Sequence, residues 1–257
     1  MNDTKTGDKG AGCILRVQHN RAYFTGESLM NSAMVCSIFP VFLNELRQAA
    51  AVSSNAVCDP LILSMDLYRQ KILAAFLRDL GSRPFPRRMY FDGHAYGEEN
   101  MFLESMSYTL QIPELSPERR LAMYNEMTHR VYSGEKLGAR EQEAPGEFDD
   151  PIYEKGSREN GGFWWALNGP VIAGLAALDL QEAEKRLNDM TFTHYAQAFP
   201  DYWTSYWSAS DNIESSLIPE EGLADQSEEY WCQPVFCAHP HAWSLYCYER
   251  LREKPGT

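Results

Sequence analysis

Residues 158–170 read R-E-N-G-G-F-W-W-A-L-N-G-P, and the rest of the chain is organised around them. Adjacent Gly161 and Gly162 allow backbone angles that a side chain would forbid, and two tryptophans follow where an apolar segment begins. A glycine turn that presents charged and aromatic groups at a helix start is typical of the rim of a ligand pocket. A turn that leads into a core helix with aromatic packing explains the same residues, so both interpretations stay open.

The size and charge of the chain limit its function. It has 257 residues, of which 44% are hydrophobic and 12% aromatic. That is enough to bury a large core, and we expect one domain over residues 1–257. The formal net charge of −13 argues against nucleic acid or an anionic membrane as partners, because binding to either depends on basic surface.

The cysteines and the termini carry little specific signal. Six cysteines are present without a C-x-x-C pair, which indicates buried, reduced thiols rather than disulfides or a zinc site. His239 and His241 lie close to Cys237, but we expect no metal. No run of about twenty apolar residues marks a transmembrane helix, and the N-terminus lacks an apolar signal core. We therefore expect a cytoplasmic location.

Apolar residues recur at helical spacing through most of the chain. Cap residues, first-turn prolines and a glycine stop at Gly81 set the boundaries of the helices. The predicted helices cover residues 30–46 with a kink at Pro40, 60–80, 101–110, 117–131, 164–178, 180–197 and 235–252. Residues 88–91 read as a short strand before a turn.

Two long loops, residues 133–162 and 198–233, interrupt the helices. Loops of this length in a compact domain are usually functional or disordered. Helices of similar length with alternating short and long connections predict an all-α array of antiparallel helix pairs, either a bundle or part of an (α/α) toroid. In such a scaffold, function lies on the loops.

Both loops carry residues suited to sugar recognition. Tryptophan and tyrosine rings can stack on the C–H faces of sugars, while Asp, Asn and Arg can bond hydroxyl groups; alternatively, the aromatic residues simply pack the loop down. Cleavage of a glycosidic bond needs a proton donor and a nucleophile. The loop carboxylates are too numerous for roles to be assigned by counting: Asp3, Asp8, Glu27, Glu98, Glu99, Glu104, Glu159, Asp201, Asp211, Glu214, Glu220 and Glu221.

His239-Pro240-His241 beside Trp243 is a second candidate cluster. A histidine in a pocket can bind an anion or act as a general acid or base, although a structural hydrogen bond is the commoner role. The chain has no phosphate loop, zinc-protease motif, nucleophile elbow or dinucleotide fingerprint.

Four segments occur in the order found in a known family. They are G-E-S at residues 26–28, the segment 100–108, E-N-G-G at 159–162 and the aromatic loop 198–211. Together they resemble the C-terminal part of the catalytic barrel of glycoside hydrolase family 94, the family of cellobiose and chitobiose phosphorylases. The resemblance covers most of the chain and implies an incomplete (α/α)6 barrel that corresponds to the last half or so of such a protein.

The resemblance also implies site residues. Asp3 in M-N-D matches the end of the family's D-W-N-D motif and is the candidate general acid, while Glu159 and Asp211 are candidate bases by loop position. Candidate substrate-binding residues are Glu27, Arg158, Asn160, Trp164, Trp203 and Trp207. The expected substrate is an oligosaccharide or disaccharide that is cleaved with inversion.

The match departs from the family at the phosphate site. Where the phosphorylases carry a histidine after E-N-G-G, this chain has Ala166, and where they carry a Thr-Gly pair it reads A-H-P-H-A-W at residues 238–243. His239 and His241 are therefore the candidate phosphate ligands. Inorganic phosphate is a possible co-substrate, no cofactor is expected, and hydrolysis or transglycosylation competes with phosphorolysis.

Two other classes of function stay open: a non-catalytic carbohydrate-binding remnant, and a helical scaffold whose aromatic residues only pack. An incomplete barrel should also expose apolar helix faces that missing helices would cover. We therefore expect either a homodimer or a missing N-terminal portion as the partner of this chain.

Overall fold

The computed structural model describes ten segments of the chain. They are residues 15–18, 21–24, 26–53, 58–91, 93–144, 156–157, 160–201, 212–218, 221–222 and 239–252. The helices in them are α1 (Leu29–Ser53), α2 (Cys58–Leu80), α3 (Leu103–Ser107), α4 (Pro117–Arg130), α5 (Trp165–Leu175), α6 (Leu180–Asp189), α7 (Phe192–Ala198) and α8 (His239–Arg252), with a 3-10 turn at Thr109–Gln111. The fold is mostly helical, as predicted.

Short strands form three small antiparallel sheets within these segments. The strands are β1 (Leu15–Gln18), β2 (Arg21–Phe24), β3 (Gly26–Ser28), β4 (Met89–Phe91), β5 (His94–Tyr96), β6 (Phe163–Trp164) and β7 (Asn212–Ile213). β1 pairs with β2, β3 with β4, β4 with β5, and β6 with β7. Only the region of β4 was predicted from the sequence.

The first two helices pack against each other as a hairpin, and α1 also packs on α3. Pro40 lies inside α1 and has no N–H to donate to the carbonyl of Cys36 one turn earlier. Arg69 of α2 supplies the missing donors: its Nε and Nη2 lie 3.2 and 2.9 Å from the Cys36 carbonyl oxygen. The same guanidinium reaches Glu114 at 2.6 Å, so it ties both helices to the following segment.

Helix α5 lies at the centre of the remaining helices and contacts α3, the 3-10 turn, α6 and α8. Two glycines allow these close approaches. A Cβ at Gly169 would come within 2.4 Å of the Trp243 ring, and one at Gly174 would come within 2.7 Å of Leu110. The N-G-P stretch that the sequence placed at the start of a core helix is therefore a packing surface.

Most predicted helix boundaries are confirmed to within about three residues, but α1 continues to Ser53 beyond its predicted end at residue 46, and the helix predicted over 101–110 is the short α3 followed by a 3-10 turn. The helix predicted over 60–80 ends before Gly81, whose φ is +47°, and the side chain of Ser116 caps α4 by accepting from the Arg119 N–H. The single helix predicted over 180–197 is wrong. It is two helices, because the Thr191 hydroxyl starts a new one by accepting from the His194 N–H.

The α1–α2 hairpin exposes many large apolar side chains. They are Ile38, Val41, Phe42 and Val52 on α1, and Leu61, Leu63, Leu67 and Tyr68 on α2. Among the described residues, Leu29–Val52 has the length and composition to cross a membrane, whereas the sequence alone predicted no such helix. The core helix of a globular domain meets the same criteria of length and composition.

Candidate active site

The two loops identified in the sequence meet at one small sheet. β6 comes directly after the E-N-G-G turn, and β7 comes directly after the aromatic loop. In their ladder Phe163 lies opposite Ile213, and Trp164 lies opposite Asn212. The extended segment 139–142 lies along the other edge of β6, where Arg140 bridges to Phe163.

This arrangement has an apolar face and a polar face. Phe163 and Ile213 are each 2% exposed and belong to the hydrophobic core. Because side chains alternate along an extended chain, Trp164 and Asn212 lie on the other face. Glu141 lies next to this face, because its N–H donates to the carbonyl of Gly162 directly before β6. We call Glu141, Trp164 and Asn212 the polar face.

Asn168 holds the segment 139–142 against α5. Its amide oxygen accepts from the N–H of Ala139 at 2.8 Å, and its amide nitrogen donates to the carbonyls of Ala139 at 2.8 Å and Trp164 at 2.9 Å. The side chain is 1% exposed, and these three bonds engage both ends of its amide. Asn168, the last residue of the W-W-A-L-N sequence, therefore fixes the positions of Trp164 and of the segment that carries Glu141.

Arg140 fixes the same segment from the apolar side. Its guanidinium is buried and donates to backbone carbonyls at 2.7–3.2 Å; the acceptors are Arg130, Ser133, Gln142 and Glu143. It also pairs with Glu135 at 3.1 Å. Burial raises the pKa of Glu135, although hydrogen bonds from Ser216 and the Arg140 charge act in the opposite direction.

A cationic side chain faces two carboxylates beside the polar face. Arg88 Nε lies 2.7 Å from Glu104, and Arg88 Nη2 lies 3.8 Å from Glu141. The side chain of Glu141 is only 1% exposed, while those of Arg88 and Glu104 are 12% and 13% exposed. The Arg88 guanidinium also lies over the Phe102 ring, 4.8 Å from its centroid.

These residues join three of the segments that carried the family resemblance. The backbone carbonyl of Arg88 accepts from the N–H of Leu29, directly after the G-E-S strand. Glu104 belongs to segment 100–108, and the N–H of Glu141 donates to the carbonyl of Gly162 in E-N-G-G at 2.8 Å. Segments distant in sequence are therefore adjacent at this point.

Two polar side chains on the polar face have no hydrogen-bond partner among the described residues. Both amide atoms of Asn212, a residue with 0% exposure, are buried without such a partner. Within the same described segments, the indole Nε1 of Trp164, opposite Asn212 in the ladder, is also buried without one.

Asn160 is hydrogen-bonded within the protein and holds the E-N-G-G turn in shape. It is 4% exposed, and its amide oxygen accepts from Gln142 Nε2 at 2.9 Å. Its backbone carbonyl accepts from the N–H of Gly156, and its N–H donates to the carbonyl of Ser157. With Gly161 at a φ of +106°, these bonds define the E-N-G-G turn.

The remaining described candidates lie elsewhere. Glu27 is exposed and lies on β3 opposite Tyr90. It is two residues before Leu29, whose N–H donates to the carbonyl of Arg88. His239 begins α8. His241 is exposed and packs edge-on against Phe192, with ring centroids 4.7 Å apart.

Six candidates lie outside the described residues: Asp3, Arg158, Glu159, Trp203, Trp207 and Asp211. Glu159 directly precedes Asn160 in the sequence, and Asp211 directly precedes Asn212. Among the described residues, no group of three His, Cys, Asp or Glu side chains could hold a metal ion.

Sequence reasoning missed Arg88, Glu141 and Asn212. Arg88 lies in the predicted strand, Glu141 in an acidic loop and Asn212 at the end of an aromatic loop, and none stands out by its neighbours. Their proximity depends on the pairing of segments that are far apart in the chain. The burial of a charged residue such as Glu141 could not be predicted, because its neighbours in the sequence are mostly polar and indicate an exposed loop.

Comparison with known proteins gives a fold but no family. No protein-family model matches the chain, and no curated protein matches it. The chain is similar to the crystal structure of an uncharacterized conserved protein from Thermus thermophilus, with a TM-score of 0.53 and 10% sequence identity. The likeness covers 89% of this chain and 47% of that one, so this chain spans about half the length of its structural relative.

Proposed function

We propose that this chain is a carbohydrate-active enzyme that cleaves or transfers β-linked glycosyl units with inversion. The observation that carries the proposal is the pairing of β6 with β7. It brings the E-N-G-G turn and the end of the aromatic loop to one sheet, beside the buried carboxylate of Glu141.

We further propose that the helices are part of an (α/α) barrel. The α1–α2 hairpin and the helices packed around α5 support this architecture. In such a barrel the loops at one end form the site, and the polar face lies where two such loops meet.

Glu141 is the candidate for one of the two catalytic groups. It is shielded from solvent, and the Arg88 guanidinium stabilises its negative charge, which suits a base that activates water in an inverting hydrolase. Asp3 remains the candidate for the proton donor, and Glu159 and Asp211 remain the alternative candidates for the base. Glu104 is engaged by Arg88 at closer range, which favours a positioning role for that carboxylate.

Phosphorolysis is the other version of this reaction. It would use inorganic phosphate in place of water and would need an anion site at His239 and His241. The exposure of His241 leaves it accessible to an anion, but Ala166 stands where the resemblance expects a histidine. We therefore favour hydrolysis or transglycosylation.

A carbohydrate-binding protein without catalysis is the second candidate. The amide of Asn212, which has no partner among the described residues, favours it, because this amide offers hydrogen bonds to a ligand without requiring chemistry. In that case Arg88, Glu104 and Glu141 form a structural ion network, which is a common reason for buried charges.

Product release tests the proposal directly. Free glucose and glucose 1-phosphate would be measured from β-linked disaccharides and oligosaccharides, with and without phosphate. Free sugar in both conditions indicates a hydrolase, and sugar phosphate only with phosphate present indicates a phosphorylase. Binding without product supports the non-catalytic candidate.

Matched variants then assign the base. Glu141→Gln should lower the rate by about 10²–10⁴-fold, the usual range for a general acid or base. Glu98→Gln removes an exposed partner of Arg87 and should leave the rate unchanged. Full activity in Glu141→Gln would exclude Glu141, and full activity in a combined Glu159→Gln and Asp211→Asn variant would exclude those two residues.

A further inference from the structure

We propose that Asn212 and Trp164 form a binding subsite for one hydroxyl-bearing edge of a neutral sugar ring. This inference rests on the proposed function and deepens it. It assigns a ligand to Asn212, which the sequence analysis did not single out, and a hydrogen-bonding role to the indole N–H of Trp164.

The two side chains are neighbours by the register of the ladder. Trp164 and Asn212 lie directly opposite each other in the antiparallel pair, an arrangement that puts Cβ atoms within about 4.5–5.5 Å of each other. Both point to the face opposite the core residues Phe163 and Ile213. The two side chains therefore leave the sheet close to each other on the same face.

Three polar side-chain atoms of this pair have no hydrogen-bond partner in the described part of the chain. Within it, Asn212 Nδ2, Asn212 Oδ1 and Trp164 Nε1 are all buried without a partner. Buried polar groups are bonded in the great majority of cases, and each exception calls for a specific reason. Three such atoms on two facing residues point to a group that the protein binds.

A second buried asparagine shows that this fold can satisfy an amide internally. Asn168 is 1% exposed and makes three hydrogen bonds to the backbone of Ala139 and Trp164. Asn212 is 0% exposed, and its side chain makes none with the described segments. The contrast between two amides close to the same strand favours an external partner for Asn212.

The unmet atoms define the chemistry of that partner. Asn212 offers a donor and an acceptor, and Trp164 offers a second donor. A hydroxyl group can accept from one and donate to another, so a ring with adjacent hydroxyls satisfies all three atoms. A metal cation cannot accept from the two N–H donors, and a fully ionised anion cannot donate to Asn212 Oδ1.

A resident partner, either a buried water molecule or a residue outside the described segments, is the competing explanation. The stability of a variant separates the two. Asn212→Leu removes both amide atoms, keeps the branched side-chain skeleton and leaves no cavity. If a resident partner satisfied the amide, the variant loses those bonds and its Tm falls. If the amide is bonded only when a ligand is present, the variant no longer carries the cost of burying an amide without hydrogen bonds. The Tm of the ligand-free protein then stays equal or rises.

The experiment measures binding of cellobiose and of N,N′-diacetylchitobiose by calorimetry, with Tm recorded for each protein without sugar. The variants are Asn212→Leu and Trp164→Phe, which removes the indole N–H. The control is Asn125→Leu, the same change at an exposed position of α4. We expect affinity to fall about tenfold or more in both test variants, the loss expected for one or two hydrogen bonds, and to stay unchanged in the control.

Each outcome decides the matter. Weaker binding in Trp164→Phe, with Tm of Asn212→Leu unchanged or raised, supports the subsite. Unchanged affinity in both test variants overturns it while leaving the proposed function intact. A lowered Tm in Asn212→Leu with normal affinity in Trp164→Phe identifies a resident partner and also overturns it. Absence of sugar binding in the wild-type protein overturns the proposed function and the subsite together.

Discussion

The α1–α2 hairpin and the helices around α5 use different means to hold their shape. The hairpin consists of two helices of 25 and 23 residues, exposes large apolar side chains and is tied to the next segment by Arg69. The region around α5 consists of shorter elements with a closely packed core, held by buried polar groups such as Asn168 and Arg140. The polar face lies in the second region, where non-local bonds fix its geometry.

The largest expected effect comes from removing the Arg140 guanidinium. Arg140→Met leaves the buried Glu135 carboxylate without its cationic partner and several backbone carbonyls without the guanidinium donor, so we expect the free energy of unfolding to fall by about 3–5 kcal/mol. Denaturant titration followed by circular dichroism would measure it.

Arg47→Met provides the matched control. Arg47 is 52% exposed and pairs with Asp66 at 3.7 Å, and surface pairs of this kind contribute at most about 1 kcal/mol. Equal losses in the two variants would mean that the bonds of Arg140 do not hold the second region together.

Arg69→Met should have a smaller and more local effect. It leaves the Cys36 carbonyl without a donor, since Pro40 cannot replace it, and we expect a loss of about 1–3 kcal/mol. Hydrogen exchange should show faster exchange in α1 and α2 with little change in α5. Equal acceleration in α5 would show that the two regions unfold as one unit.

The alkaline pH dependence should reveal the buried thiol of the hairpin. Burial raises the pKa of Cys36 to about 11, above the value of about 8.5 for an unfolded thiol. The stabilising contribution is therefore complete below about pH 8.5 and is lost as the pH rises towards 11. At about 1.4 kcal/mol per pH unit, roughly 2 kcal/mol should disappear between about pH 8.5 and 10.

Cys36→Ala isolates this contribution. The variant loses the packing of the thiol at every pH, but its stability should fall less steeply than that of the wild type above about pH 8.5. Parallel curves for the two proteins would mean that the Cys36 thiol ionises as easily in the folded state as in the unfolded one.

The sequence predicted the helices well because their signals are local. Ser116, Pro117 and Gly81 mark boundaries through their own backbone preferences. Thr191 has the same capping chemistry, but apolar residues continue at helical spacing across it, so the pattern predicts one uninterrupted helix. A cap within a periodic segment is ambiguous until tertiary contacts choose between one helix and two.

The candidate site was only partly predictable. The sequence singled out the E-N-G-G turn and the aromatic loop, and the pairing of Trp164 with Asn212 brings their ends together. The same sequence could not place Glu141 beside Gly162, because that contact joins segments whose pairing has no local signal. The structural hydrogen bonds of Asn160 could not be predicted either, because an asparagine in a turn is equally typical of a structural role and of a substrate-binding role.

The smallest effect is expected on the exposed face of the hairpin. Leu63 and Leu67 are 60% and 49% exposed, so changing both to Gln should alter the free energy of unfolding by less than about 0.5 kcal/mol. Leu103→Gln and Leu110→Gln, at positions that are 0% exposed, should prevent stable folding. A large loss in the surface variant, together with a change in sedimentation, would mean that this face is covered in solution. The hairpin would then be stabilised by burial in the same way as the region around α5. The surface that covers it would come from outside the described residues.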